Sequence, residues 1–262
     1  MIRLLSRAAV AALALACLTL PGMAQTAPQA PAAAPLPKAA IADKAAGMVT
    51  AADPRAVAAG QAMLSAGGSA TDAAIATMAV LGLVEPHSAG LGGGGFLMAY
   101  DPAKRQVSAY DGREKAPAGA TANLFIGADG KPMNFREAVV SGKSVGTPSL
   151  IAMLKLAHDK HGKLPWAKLF DPAIKLADDG FVVSPRLNQM IGFANGRGGL
   201  ASAEARAYLL GADGKPLPVG TVLRNPDYAA SLRAIARQGP RALSRGPIAD
   251  AIVKSAQAGP VG

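Results

Sequence analysis

Cysteine is nearly missing from these 262 residues: Cys17 is the only one, inside an amino-terminal apolar stretch. That stretch follows Arg3 and Arg7, runs from Ala8 to Leu20, and ends at the small residues Gly22-Met23-Ala24. This is the pattern of a secretory signal peptide over residues 1–24. Cleavage after Ala24 leaves no cysteine, which excludes disulfides, thiol catalysis and zinc–thiolate sites. The apolar run is too short for a comfortable membrane span. An exported protein, periplasmic or extracellular and free of the membrane after cleavage, is expected.

Aromatic residues are scarce, at 4%, and acids are outnumbered, 17 against 27 Lys and Arg. The net charge of +10 becomes +8 when Arg3 and Arg7 leave with the leader. These cations are scattered, with no aromatic platform among them, so no nucleic-acid partner is expected. A solvated basic surface favours a carboxylate-bearing substrate modestly.

Half of the chain is apolar, enough for a sizeable core. Residues 25–46 are a Pro/Ala-rich stretch that cannot bury enough surface to fold, and a disordered tether is expected there. Residues 47–262 have no internal linker and read as one unit. Asp53-Pro54, Thr147-Pro148, Ser184-Pro185 and Asn225-Pro226 each put a capping side chain before a helix-starting proline. The first predicts a helix to about Ala66. Ser69 or Thr71 caps a second, apolar nearly all round and therefore buried. Phe96–Tyr100 and Val107–Tyr110 predict a hairpin. Ala138-Val139-Val140 reads as a further strand, and helices are expected from about 148, 165, 185, 226 and 247. Gly-Ala-Asp-Gly-Lys-Pro occurs at 127–132 and again at 211–216, as two Asp-Gly turns.

Between the second helix and the hairpin stands Glu85-Pro86-His87-Ser88, then the glycine tract Gly92–Gly95. Past the hairpin comes Asp111-Gly112-Arg113-Glu114-Lys115-Ala116-Pro117. Gly90, Gly92 and Gly95 satisfy G-x-G-x-x-G, but a dinucleotide fingerprint follows a strand and opens a helix. This tract does the reverse and has no Gly-Lys-Ser/Thr ending, so no cofactor is expected. His158 and His161 lie three apart, but without further ligands a metal site is not expected and a wet helix face is. His87 reads as a buried, hydrogen-bonded histidine near the site. Arg113 reads either as a surface arginine paired with Glu114 or Asp111, or as a fork for a carboxylate.

The order of these motifs resembles the large-subunit region of the gamma-glutamyltranspeptidases, also called glutathione hydrolases. The likeness extends through Gly67-Gly68-Ser69-Ala70-Thr71-Asp72-Ala73-Ala74, Gly162-Lys163-Leu164-Pro165-Trp166, Pro172-Ala173-Ile174-Lys175-Leu176-Ala177 and Ser184-Pro185-Arg186-Leu187 to Asn225-Pro226-Asp227. It implies an α+β fold, an incomplete four-layer αββα sandwich of the amino-terminal-nucleophile hydrolases. It implies gamma-glutamyl transfer and hydrolysis by a zymogen that cuts itself into two subunits. Gamma-glutamyl compounds such as glutathione would be the substrates, and the small subunit of the same precursor the partner. The residue matching the family's substrate arginine is Arg113; Glu85, His87, Ser88, Gly92, Gly93, Gly94, Gly95 and Asp111 would support it. The family's catalytic threonine lies downstream of all of these, so no catalytic residue is expected in this chain, and no turnover from it alone. A glutaryl beta-lactam acylase of the same superfamily and a non-catalytic secreted fragment are the competing readings.

Overall fold

The computed structural model describes residues 47–200 and 202–258; the leader and the tether expected over 1–46 lie outside the described residues. Local capping starts the first helices as the sequence predicts. Helix α1 (Pro54–Ser65) begins after Asp53, whose Oδ1 accepts the Arg55 N–H at 2.8 Å. Helix α2 (Ala70–Val84) is capped by Ser69, with Asp72 returning the bond to the Ser69 N–H at 2.8 Å. The carboxylate of Asp72 is fully buried and its Oδ2 also accepts the N–H groups of Lys163 and Leu164, at 2.9 and 3.1 Å. One side chain thus caps α2 and pins a loop ninety residues away in sequence to it. Burial alone would raise its pKa, but the N–H donors at Ser69, Lys163 and Leu164 outweigh it and hold the carboxyl below its ordinary value.

After the glycine tract the chain turns into a hairpin, β1 (Gly95–Asp101) and β2 (Gln106–Gly112). They pair in continuous register from Gly95↔Gly112 to Asp101↔Gln106. Asp101 Oδ1 accepts from the Ala103 and Lys104 N–H groups and shapes the turn. Strand alternation sorts the side chains into two faces. Leu97, Ala99 and Tyr110 face the core. Phe96, Met98, Tyr100 and Val107 are 67%, 74%, 63% and 57% exposed on the other face.

Two local readings are corrected. Ala138-Val139-Val140 is the end of a short helix, α3 (Phe135–Val140), and not a strand. Asn134 Oδ1 accepts the Arg136 N–H at 2.9 Å, and that cap, with Glu137 in the first turn, outweighs two valines that have no sheet to join among the described residues. Helix α4 (Leu150–His161) follows Ser149, not Thr147-Pro148. Thr147 instead donates its N–H to Lys115 O at 2.8 Å, a bridge that keeps it extended. A 3₁₀ turn (Trp166–Phe170), α5 (Asp171–Asp179), β3 (Phe181–Val182), α6 (Pro185–Gly196) and α7 (Ala203–Leu209) come next. Then come β4 (Val222–Leu223), antiparallel to β3, and α8 (Pro226–Gln238), α9 (Arg241–Ser244) and α10 (Pro247–Gln257). Ser184 and Asn225 cap α6 and α8 as expected. Both copies of Gly-Ala-Asp-Gly-Lys-Pro form the same turn, with Asp129 and Asp213 accepting the N–H two residues on. Tyr228 of α8 donates to Ala79 O of α2 at 2.8 Å, and Trp166 Nε1 to Ile235 O at 3.0 Å. These bonds tie α2, α8 and the 3₁₀ turn around a shared core.

The hairpin is fastened where it meets the glycine tract. Gly93 O accepts the first N–H groups of α4, from Ser149 and Leu150, at 3.1 and 3.0 Å. Ser149 Oγ donates to Gly112 O at 2.6 Å. A Cβ on Gly94 would collide with Gly112 O and lie 2.7 Å from Glu114 Oε2; one on Gly112 would lie 2.5 Å from Met153 Cβ. Only bare backbone fits at these crossings.

Gly94→Ala should therefore lower stability by about 1–3 kcal/mol, the range for overfilling a packed site, measured by denaturant unfolding. Asp72→Ala should cost about 2–3 kcal/mol at neutral pH through lost caps and orphaned N–H groups. Because the folded pKa of Asp72 is depressed, its contribution is complete above the ordinary carboxylate value. It fades as pH falls through the folded value, so the parent and Asp72→Ala unfolding curves should converge in acid.

Candidate functional site

The residues singled out in the sequence fall into two groups at either end of the glycine tract. The first closes α2. Glu85 is buried at the helix C-terminus and accepts Arg186 Nε of α6 at 2.8 Å. His87 Nε2 lies 3.0 Å from the same Glu85 oxygen, but without the alignment of a hydrogen bond, and both ring nitrogens are buried with no partner among the described residues. His87 is thus only partly buried, its side chain 11% exposed, and its expected hydrogen bond is not seen among the described residues. Ser88 is exposed and returns its N–H to Glu85 O at 2.9 Å. Arg186 is a partner the motif reading did not foresee, because a hundred residues separate it from Glu85.

The second group surrounds Arg113, one residue past β2. Asp111, exposed at the end of β2, uses Oδ1 to accept the Arg113 backbone N–H at 2.9 Å. Glu114 turns the other way. Its carboxylate lies over Gly93 and Gly94, so close that a Cβ on Gly93 would sit 3.1 Å from Oε1. Both acids that would neutralise Arg113 are engaged elsewhere. Among the described residues no carboxylate comes within ion-pair distance of its guanidinium, which is exposed. Lys115, also exposed, adds to the positive potential there. The arrangement offers a planar five-donor fork on a short, backbone-anchored turn. Glu114 is the functional candidate that sequence reasoning left out of the site. Its signal was the run of adjacent glycines, which needs a neighbour that fills their space.

The histidines of α4 require a correction. They are not on a wet face: the His158 side chain is 12% exposed, donates Nε2–H to Leu164 O at 2.9 Å and lies 3.5 Å from Asp72 Oδ1. His161 Nε2 shares a 2.6 Å hydrogen bond with the Tyr110 hydroxyl. Both rings brace the core, since the face of α4 that carries them meets the 163–166 loop and β2. Among the described residues no group of three or more His, Cys, Asp or Glu could hold a metal ion, and no helix is long and apolar enough to cross a membrane. The glycine tract joins the end of α2 to the start of β1, the opposite order to a dinucleotide-binding turn.

Comparison with known proteins agrees with the motif order. A gamma-glutamyltranspeptidase family model matches residues 56–261. The chain is 36% identical over 211 residues to a glutathione hydrolase proenzyme of Bacillus subtilis, covering 80% of this chain and 35% of that protein. It is 39% identical over 212 residues to the Acylase ACY 1 proenzyme of a Pseudomonas species, covering 79% and 37%. The crystal structure of Helicobacter pylori gamma-glutamyltranspeptidase superposes with a TM-score of 0.75 at 30% identity, over 82% of this chain and 61% of that one. The chain thus spans roughly a third of the length of these curated relatives. With a mixed α/β fold like theirs and the family's motifs in order along most of its length, this chain belongs to the gamma-glutamyltranspeptidase family.

Proposed function

We propose that this chain is the substrate-gripping, large-subunit portion of an exported proenzyme for gamma-glutamyl transfer and hydrolysis, with glutathione as the substrate type. The observation that carries the reading is the Arg113 guanidinium, exposed and without an acidic partner among the described residues while its backbone is tied to Asp111. Arg113 forks onto the alpha-carboxylate of the gamma-glutamyl group. A threonine hydroxyl at the new amino terminus of the small subunit, cut from the same precursor, then attacks the gamma-amide carbon. The threonine's own amine takes the hydroxyl proton and returns it to the departing amine, leaving an acyl-enzyme that water or an acceptor amine resolves. Arg113 acts by positioning, since it fixes one end of the substrate and so aims the amide.

The finer fold belongs to the same proposal. A second sheet from the remainder of the precursor would cover Phe96, Met98, Tyr100 and Val107 and complete the αββα sandwich. Residues 1–24 direct export to the periplasm or beyond. A second reading has support in the 39% identity to the Acylase ACY 1 proenzyme, comparable with the 36% to the glutathione hydrolase. A glutaryl beta-lactam side chain presents the same kind of carboxylate to Arg113 and lacks the alpha-amine of a glutamyl group. Assaying both substrates side by side separates the two.

The purified chain alone should release no p-nitroaniline from gamma-glutamyl-p-nitroanilide, whereas co-expression with the unmatched remainder of the Bacillus subtilis relative should. Turnover by the chain alone would remove the threonine from its role. In that active pair, Arg113→Ala should cost about 2–5 kcal/mol in kcat/KM, the scale for losing one side of a hydrogen-bonded charge pair. Arg113→Lys should recover only part of it. Unchanged kinetics in Arg113→Ala would overturn the assignment.

A further inference from the structure

Residues 85–94 join α2 to β1 without forming helix or strand, and Gly90, Gly92, Gly93 and Gly94 make that backbone pliant. Such a stretch keeps one shape only if both of its ends are held. The far end is held by the bonds from the Ser149 and Leu150 N–H groups to Gly93 O, and from Ser149 Oγ to Gly112 O, one residue before Arg113. Leu91, buried in the core, holds the middle. The near end turns on Glu85. Its N–H closes α2 on Leu81 O, and its C=O accepts the Ser88 and Ala89 N–H groups at 2.9 and 3.0 Å. One residue therefore both ends the helix and starts the turn.

The Glu85 side chain is only 2% exposed, and a buried carboxylate needs donors in place of water. A helix C-terminus, with its unpaired carbonyls, sharpens that need and favours a cation. Among the described residues Arg186 Nε is the one hydrogen-bond donor to this carboxylate, since the nearby His87 Nε2 is not aligned. Arg186 is itself well anchored, in the first turn of α6 beside Pro185, where Ser184 Oγ accepts the Leu187 N–H at 3.0 Å. Without the guanidinium, Glu85 would be a buried charge with no hydrogen-bond partner. Turning that carboxylate out to water would carry the end of α2 and the start of the tract with it. We propose that Arg186 is a positioning residue for the substrate, acting through Glu85 and the glycine tract on the place where Arg113 emerges. The proposal rests on the reading of Arg113 as the carboxylate fork, but the fastening itself can be tested apart from that reading.

The test uses the co-expressed pair and Arg186→Met, which keeps much of the side chain's length and removes its charge. Amide hydrogen exchange comes first, because it needs no turnover. Exchange should quicken about tenfold at Ser88 and Ala89 and also at Ser149 and Leu150, beyond the far end of the tract. Lys163 and Leu164, held by Asp72 at the opposite end of α2, should keep their protection. Quickening that stops at Ala89, or that reaches Lys163 and Leu164 equally, would overturn the proposal, the second because it reports general loss of fold. If Arg186→Met does not assemble, Arg186→Lys, which keeps the charge but lacks the Nε–H, must show the same pattern. In kinetics, Arg186→Met should lower kcat/KM for gamma-glutamyl-p-nitroanilide about tenfold. With Arg113 already alanine, the same change should cost less than about twofold. Arg233→Ala, which breaks an exposed pair with Asp178, should leave kcat/KM unchanged. Equal losses in both backgrounds, or full activity in Arg186→Met, would also overturn the proposal. Full activity in Arg113→Ala would instead sink the substrate reading, and the exchange pattern would still decide the fastening.

Discussion

Close approach of unsubstituted backbone at Gly93, Gly94 and Gly112 governs the geometry of this molecule's candidate site. Three separate stretches meet there: the tract that leaves α2, the end of β2, and the first turn of α4. Each needs the others, because Gly93 O serves as acceptor for the opening N–H groups of α4, and Ser149 turns its hydroxyl to Gly112 instead of capping its own helix. A helix start left without such acceptors would carry orphan donors. The fastening also sets the direction in which the chain leaves the hairpin, and therefore where Arg113 emerges.

Four carboxylates do the positioning, and none is placed as a simple surface countercharge. Asp72 and Glu85 stand at opposite ends of α2, both buried, one gathering backbone N–H groups and the other a guanidinium from α6. Burial of a charge is tolerated only where such donors replace water. Asp111 and Glu114 flank Arg113 and yet leave its tip alone, the first bound to backbone and the second laid against glycine. An arginine between two acids is ordinarily neutralised by them. Here the strand end and the glycine tract divert both.

The exposed face of the hairpin carries four large apolar or aromatic side chains, Phe96, Met98, Tyr100 and Val107. Relatives in the family run about three times as long as the matched region, and a flat row of Phe96, Met98 and Tyr100 is unusual on a surface that meets only water.

Much was legible from residues alone where the determinant is local. Asp53-Pro54, Ser184-Pro185 and Asn225-Pro226 start helices because a capping oxygen and a proline act within one turn. The hairpin follows from alternation and a turn, and the doubled Gly-Ala-Asp-Gly-Lys-Pro turns follow from Asp and Gly chemistry. Family membership follows from motifs whose order survives wide sequence change. Other features were settled only when distant segments met. Val139 and Val140 are helical, and among the described residues no strand lies beside them to pair with. Thr147 is extended because Lys115 bonds to it, His158 is buried because the 163–164 loop is drawn onto Asp72, and Glu85 finds Arg186 across a hundred residues. Arg113 was recognisable by its place in a motif, but its freedom from Asp111 and Glu114 was not, since which donor or gap a carboxylate occupies depends on packing in three dimensions.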